Sequence, residues 1–363
     1  MSSIATPAVS CRPSTRSKSY NRRHISVQAV ASFQQTSLPK VEVSTSSYDA
    51  PESDLGWRQN FDSRYIRGKL IGAGSFGQVH MAVQKSSGIE VAVKTLPKIR
   101  GKLTKERTLD KITRETDMME RLQSCQGVVR LMECYEDENN VHLVTELCPG
   151  GDLQKYTEAN GPLDERALAL VAFEVLKIVK ACHELGIIHG DVKPANFCLK
   201  DKVPNPFSRT STSYLKAIDF GCSQIMGGRR LTKRTGTPVF MSPEIFARDY
   251  ADKADVWSIG VMLYWLFCQW FPFFQTAEVV KAARLEEVAD AVSNTPISYS
   301  FGPWPQMSPE GVDFVKQCLT RTETYRLNVH EALHHPWLTK HVSQEELEDA
   351  WRGRGAGEAS HAA

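Results

Sequence analysis

No two cysteines stand in a C-x-x-C pair and none joins a histidine at metal-ligand spacing, although the 363 residues include nine cysteines and ten histidines. The sequence therefore suggests neither a zinc site nor a disulfide framework, and a reducing compartment is the simpler setting. No apolar run reaches the roughly 18 residues that a membrane span requires. The longest, IGVMLYWLFCQWFPFF from Ile259 to Phe274, contains Gln269 and ends against Pro272, so it reads as a buried core helix. A basic field is also missing. The formal charge is +2, but residues 1–41 hold six Lys/Arg and no acid, which leaves −4 on the remainder. Such a body excludes the electrostatic footprint of a nucleic-acid binder. No internal repeat is visible.

What is present is an ordinary globular composition, 41% apolar, long enough for two lobes with real cores. The first 41 residues form a Ser/Arg-rich leader without an apolar h-region, which fits an organellar transit peptide and argues against secretion. Pro7 and Pro13 would interrupt an amphipathic helix, which favours a plastid over a mitochondrion. VQAV, residues 27–30, has the small-residue character of a cleavage context. The expected location is the plastid stroma, with the cytoplasm as the alternative if the leader targets nothing. Residues 42–64 read as a polar linker, and residues 339–363 as a short disordered tail.

From Tyr65 the pattern changes to short β-branched runs: YIRGKLIG, GQVHMAVQ, IEVAVKTL, VVRLMECYED and VHLVTEL. Their spacing predicts a small antiparallel sheet. One helix interrupts it, over Asp110 to about Gln123, with Ile112, Met119 and Leu122 on one face. After PGGD the pattern turns helical, with Leu168, Val171, Leu176 and Val179 at helical intervals in residues 163–185. A strand-rich lobe of about 65–149 thus leads into a helix-rich lobe of about 150–338, an α+β bilobal organisation with a crevice between.

Within the first lobe, IGAGSFGQV (Ile71 to Val79) is G-x-G-x-x-G with Gly72, Gly74 and Gly77. Alone it also suits a dinucleotide fold, or a mere flexible turn. Here the run continues into a second strand, so Ser75 and Phe76 sit at the tip of a hairpin whose backbone amides are free to cover phosphates. One strand later, VAVK places Ala92 and Lys94 on a central strand, and an ammonium among apolar residues needs anionic partners. A helix carboxylate is expected there: Glu115, with Asp117 and Glu120 as nearby alternatives.

In the second lobe, HGDVKPANF, residues 189–197, sets Asp191, Lys193 and Asn196 in a loop broken by Pro194. AIDFG (217–221), GTPVFMSPE (236–244), YADKADVWSIGV (250–261) and Arg326 follow in order. Over about residues 65–338 this set resembles the protein kinase family. The resemblance implies the bilobal kinase fold, and ATP with Mg²⁺ as cofactors. It makes Asp191 the group that accepts or orients the proton of a Ser/Thr hydroxyl, and gives Lys193 the moving γ-phosphoryl to neutralise. Asn196 and Asp219 become the metal ligands. Glu146 to Cys148 would bind the adenine by their backbone, beside Thr145, and Asp152 would meet ribose or a substrate arginine. Glu244 with Arg326 would form a buried ion pair, and Asp255 would anchor the catalytic loop. Lys193 and Thr237 point to protein substrates with Ser/Thr acceptors.

Gly190 departs from the family, most of whose members have an arginine before the catalytic aspartate that pairs with a phosphorylated activation segment. Activity is therefore expected not to require phosphate on Thr232 or Thr235, and Arg229, Arg230, Lys233 and Arg234 are expected to find acids elsewhere. Several stretches are most like the plant calcium-dependent and calmodulin-dependent kinases. The roughly twenty-five residues after Leu338 contain no D-x-[DN]-x-[DN]-G loop, so direct calcium binding is not expected. Ala195 stands where basic-directed members place an acid, which weakens any preference for arginine upstream of the acceptor. Cys222 reads as a small buried thiol, with redox control as the rival. Two other functions stay open: a catalytically inactive kinase-like scaffold, and a small-molecule kinase of similar shape.

Overall fold

The computed structural model describes residues 53–74, 77–203, 206–208, 214–274 and 277–352. The leader, residues 42–52 of the expected linker, Ser75 and Phe76 lie outside the described residues. The five expected strands form one antiparallel sheet: β1 Tyr65–Gly74, β2 Gly77–Gln84, β3 Glu90–Pro97, β4 Leu131–Glu136 and β5 Asn140–Glu146, in the order β1-β2-β3-β5-β4. Period-two alternation gives β3 two different faces. Val91 and Val93 are buried in a small cluster with Phe61, Tyr65, Ala82, Tyr135 and Val144, while Ala92 and Lys94 face the crevice.

The short helix α1 (Phe61–Arg64) precedes the sheet, and α2 (Lys105–Arg121) crosses its other side. Helix α2 begins five residues before the expected start, because Thr104 caps it by accepting from the Arg107 amide. Its buried side includes Ile112, Glu115, Met118 and Met119, so Glu115 shares the apolar face.

The second lobe is built on α3 (Leu153–Asn160), α4 (Glu165–Glu184), α5 (Pro243–Ala247) and α6 (Lys253–Cys268). Helix α4 fulfils the expected apolar helix, and α6 is buried on nearly all sides, ending at Gln269 in a left-handed conformation with φ 61°. Among the described residues no helix is long and apolar enough to cross a membrane. Helices α7 (Ala277–Ala282), α8 (Leu285–Asn294), α9 (Pro309–Cys318) and α10 (Val329–Leu333) follow, with α9 packed on α6, α10 on α4 and α8 on α5. Between α4 and α5 run the two-residue β6 (Ile187–Ile188), β7 (Phe197–Leu199), β8 (Leu215–Ala217) and β9 (Gln224–Ile225). β6 pairs with β9 and β7 with β8.

Two expectations about the flanks are corrected. Residues 53–64 are not a linker: Arg58 bridges to Tyr135, and Phe61 is buried and stacks on Tyr65 at 5.2 Å. Residues 339–352 are not a disordered tail, since α11 (Pro336–His341) runs past Leu338 and α12 (Gln344–Trp351) follows. Ser343 and Glu346 form a reciprocal capping box, Leu347 is fully buried, and Trp351 stacks on His334 at 4.5 Å.

Candidate active site

The crevice-facing end of β3 delivers Lys94 to two carboxylates. Its Nζ lies 2.5 Å from Glu115 Oε1 on α2 and 3.1 Å from Asp219 Oδ1 beyond β8. Burial alone would depress the Lys94 pKa, but the two negative neighbours reverse that and hold it above its ordinary value. Burial pushes the Glu115 carboxyl up, against the pull of Lys94. Asp219 moves the other way: burial would raise it, yet the ammonium and the Gly221 amide keep it low. Two carboxylates thus share one cation. Of the three candidate acids on α2, only Glu115 is brought to Lys94.

An apolar slot opens beside this triad, lined by Ile71, Val79, Ala92, Met119, Val129, Leu143, Cys198 and Ile218, with Thr145 to Cys148 along its rim. Cys198 was missed by sequence reasoning, although it lies two residues after Asn196 on the strand that floors the slot. The Glu146 side chain is occupied elsewhere, accepting from the Arg130 amide at 2.8 Å and from Lys216 at 2.9 Å, so its backbone is what it offers here. Burial pushes the Cys148 thiol up to about 12 and raises Cys222 as well, which makes both thiols poor nucleophiles. Asp152 caps α3 through the Lys155 amide and pairs with Lys155 Nζ at 3.0 Å.

The ends of β1 and β2 border the slot through Ile71 and Val79. A side chain at Gly77, where φ is +151°, would meet Thr95 O at 2.1 Å, so only glycine lets β2 pass β3 this closely. At Gly74, by contrast, a Cβ would meet nothing within 4 Å, and Gly72 would make only ordinary contact with Val79.

The loop after β6 is held from below by Asp255, the first-turn acid of α6. Its carboxylate accepts from the His189 and Gly190 amides, each at 2.9 Å, and lies 2.9 Å from His183 Nε2. Burial would raise this carboxyl, but the His183 contact and the amides bring it below its ordinary value. On top of the loop, Asp191 is 5% exposed and every contact it makes orients it. Asn196 Nδ2 donates to Asp191 Oδ2 (3.0 Å), Thr237 N donates to Oδ1 (2.8 Å), and Lys193 Nζ lies 2.8 Å from Oδ2 while donating to Thr237 Oγ1 (2.7 Å). The amide of Thr237 was not foreseen, since any residue supplies one. Glu244 and Arg326 form the expected buried ion pair, bidentate, with Arg326 also 5.0 Å over the Trp257 ring.

Gly190 has φ +75°, and a Cβ there would meet Cys222 O at 2.8 Å. The carbonyl of Gly190 lies where a Cβ on Gly236 would fall, at 2.3 Å, so the segment from Cys222 to Gly236 rests directly on this glycine. No side chain, arginine included, fits this backbone without strain. The segment is tied by other means. Leu231 and Tyr250 exchange backbone hydrogen bonds at 2.8 and 3.1 Å, and Tyr250 OH donates to Lys233 O at 2.7 Å. Arg230 pairs with Asp249 at 2.5 Å and Glu323 at 2.6 Å. For Arg230 the expectation of acids elsewhere is met.

These residues fit the magnesium nucleotide implied by the sequence resemblance. The slot is lined mostly by apolar side chains, a Cβ-sized space is open at Gly74, and Asn196 spends its nitrogen on Asp191, which leaves its carbonyl oxygen for a cation beside Asp219. Among the described residues no group of three or more His, Cys, Asp or Glu side chains is disposed to hold a metal. A cation here would complete its shell from phosphate and water, as magnesium commonly does.

The protein kinase domain model matches residues 65–338. "Calcium-dependent protein kinase 20" of Oryza sativa subsp. japonica is 38% identical over 277 residues, 76% of this chain and 48% of the relative. "Calcium-dependent protein kinase 34" of Arabidopsis thaliana is 36% identical over 281 residues, 77% of this chain and 51% of the relative. "Calcium-dependent protein kinase 8" of Oryza sativa subsp. japonica is 36% identical over 309 residues, 84% and 53%. The chain spans about half the length of the curated relatives it matches.

Proposed function

Because this chain belongs to the protein kinase family, we propose that it transfers the γ-phosphoryl of Mg-ATP to serine and threonine hydroxyls of protein substrates. One observation carries this reading: Lys94 is closed onto Glu115 and Asp219 while Asp191 is held by Asn196, Lys193 and Thr237, so every charged group the chemistry needs is positioned at once. Phosphoryl transfer asks a protein for positioning and charge stabilisation more than for covalent chemistry.

Asp191 orients the acceptor hydroxyl and takes its proton. Lys193, bridging Asp191 and Thr237, puts a positive charge beside the point of transfer. Lys94 holds phosphate oxygens while Glu115 holds Lys94. Asn196 and Asp219 would hold magnesium, which would supply neutralisation of phosphate charge. The Lys193–Thr237 contact favours Ser/Thr over tyrosine as acceptor.

Turnover without phosphate on Thr232 or Thr235 belongs to the same proposal. It is supported by the backbone at Gly190, which excludes the arginine such a phosphate would meet, and by the ties at Arg230, Leu231 and Lys233. The calcium dependence in the relatives' names is theirs; here we propose that residues 65–338 act without binding calcium themselves. We further propose the plastid stroma as the location, from the acid-free leader; a diffuse cytosolic signal from residues 1–50 fused to a fluorescent protein would end that idea.

Labelled Mg-ATP offered with a Ser/Thr peptide library, with Asp191→Asn as control, tests the function. Label on peptide from the wild type alone is expected. Nucleotide binding without transfer would favour the inactive scaffold instead, and transfer to small metabolites but not peptides the third reading.

A further inference from the structure

We propose that residues 53–58 form a strap that sets the position of α2 and hence of Glu115, and that Glu136 is its positioning residue; this deepens the kinase reading and rests on it. Glu136, at the end of β4, is 2% exposed. Its Oε1 accepts from the Ser53 hydroxyl and from the amides of Leu55 (3.1 Å) and Trp57 (3.0 Å), and its Oε2 accepts from the Asp54 amide (3.1 Å). Its own amide donates to Arg58 O at 2.8 Å. A single buried carboxylate thus winds the segment around itself.

The charge of Glu136 is met by Lys98, also 2% exposed, whose Nζ lies 2.7 Å from Glu136 Oε2 and 2.7 Å from Asp54 Oδ2. Asp54 then reaches forward: its Oδ1 lies 2.7 Å from Nζ of Lys105, the first residue of α2. Ten residues on, along the same helix, is Glu115. The strap also borders the middle of α2, since Gly56, Trp57 and Arg58 share a cavity wall with Thr113, Thr116 and Asp117. Leu55 and Trp57 pack against the core to which Ile112 and Met119 belong. One continuous chain of contacts therefore runs from Glu136 through Lys98 and Asp54 to the start of α2, and a second runs through Trp57 to the turns flanking Glu115.

The alternative is that the strap merely covers the sheet edge and contributes to folding. Such a role would lower stability without changing how α2 sits in the folded protein. Asp54→Asn and Trp57→Ala, made in the full chain, separate the two. Hydrogen exchange of the amides of residues 113–117, thermal melting, and kcat and KM for Mg-ATP are read on each. Faster exchange at 113–117 and a kcat reduced about fivefold are expected, with KM changed less and with Asp54→Glu restoring both. Glu136→Gln should show the same exchange change more strongly if it folds. Unaltered exchange at 113–117, or a kcat that falls only with the melting temperature, overturns the proposal. Should the wild type transfer no phosphate at all, the kinase reading fails while the exchange measurement still decides the strap.

Discussion

Two buried carboxylates, Asp255 and Glu136, do the same physical job in different lobes. Each is almost fully buried, each gathers backbone amides of a loop distant in sequence, and each is held below its ordinary pKa. Burying a carboxylate is costly unless hydrogen bonds or an opposite charge offset the loss of water. Asp255 meets that cost with two amides and a histidine, whereas Glu136 has three amides, a hydroxyl and the buried ammonium of Lys98. The difference shows where function tolerates a charge. Beneath the catalytic loop the hub is built from two backbone amides and a histidine, without a lysine of its own. At the strap the amides are joined by a buried ion pair with Lys98.

The comparison is most severely tested at the chemistry itself. Asp191→Asn keeps the shape of the loop but removes the base, and kcat should fall by roughly 10³-fold, within the range for a positioned acid–base group; a fall below tenfold would place the chemistry elsewhere. Next in size, Arg326→Ala leaves Glu244 buried and unpaired, and denaturant unfolding should show a loss of about 3–5 kcal/mol.

Glu136 gives a pH signature. Burial would raise its carboxyl, but Lys98, the Ser53 hydroxyl and the Trp57 and Leu55 amides bring it from 4.5 to about 2. Because the folded value is the lower one, this stabilisation is complete above pH 4.5 and is lost as pH falls toward 2. Unfolding measured from pH 6 to pH 3 should steepen less in Glu136→Gln than in the wild type; equal slopes would mean that the carboxyl is not depressed.

Much of this contrast was legible in advance on one side only. Asp255, Asp191, Lys193, Asn196, Asp219 and Lys94 stand in side-chain patterns whose spacing the fold preserves, and the strands and α4 follow from period-two and helical patterning. Glu115 was expected with Asp117 and Glu120 as alternatives, and the structure brings Glu115 to Lys94 from the buried face it shares with Ile112 and Met119. The strap was not legible, since its partners for Glu136 are mostly amides that any sequence provides. Helix α12 carried a local signal, the S-x-x-E of Ser343 and Glu346, but residues 339–363 were read as a short disordered tail. Gly190 stood out as a departure, yet only the structure shows that φ +75° and the Cys222 carbonyl exclude a side chain there.

The smallest effect is expected at the activation segment. The double variant Thr232→Ala/Thr235→Ala should keep most of its turnover in a steady-state assay, because Arg230, Leu231 and Tyr250 hold the segment without phosphate. Loss of most activity would show that the missing arginine has been replaced by another phosphate receptor.

Single-turnover transfer from saturating Mg-ATP to a serine peptide, compared between the wild type and Asp191→Asn at equal nucleotide occupancy, reads the claim about the site most directly. The account predicts similar binding of nucleotide and a transfer rate lower by roughly 10³-fold in the variant. Equal rates in the two proteins, or occupied wild-type sites that transfer nothing, would contradict it.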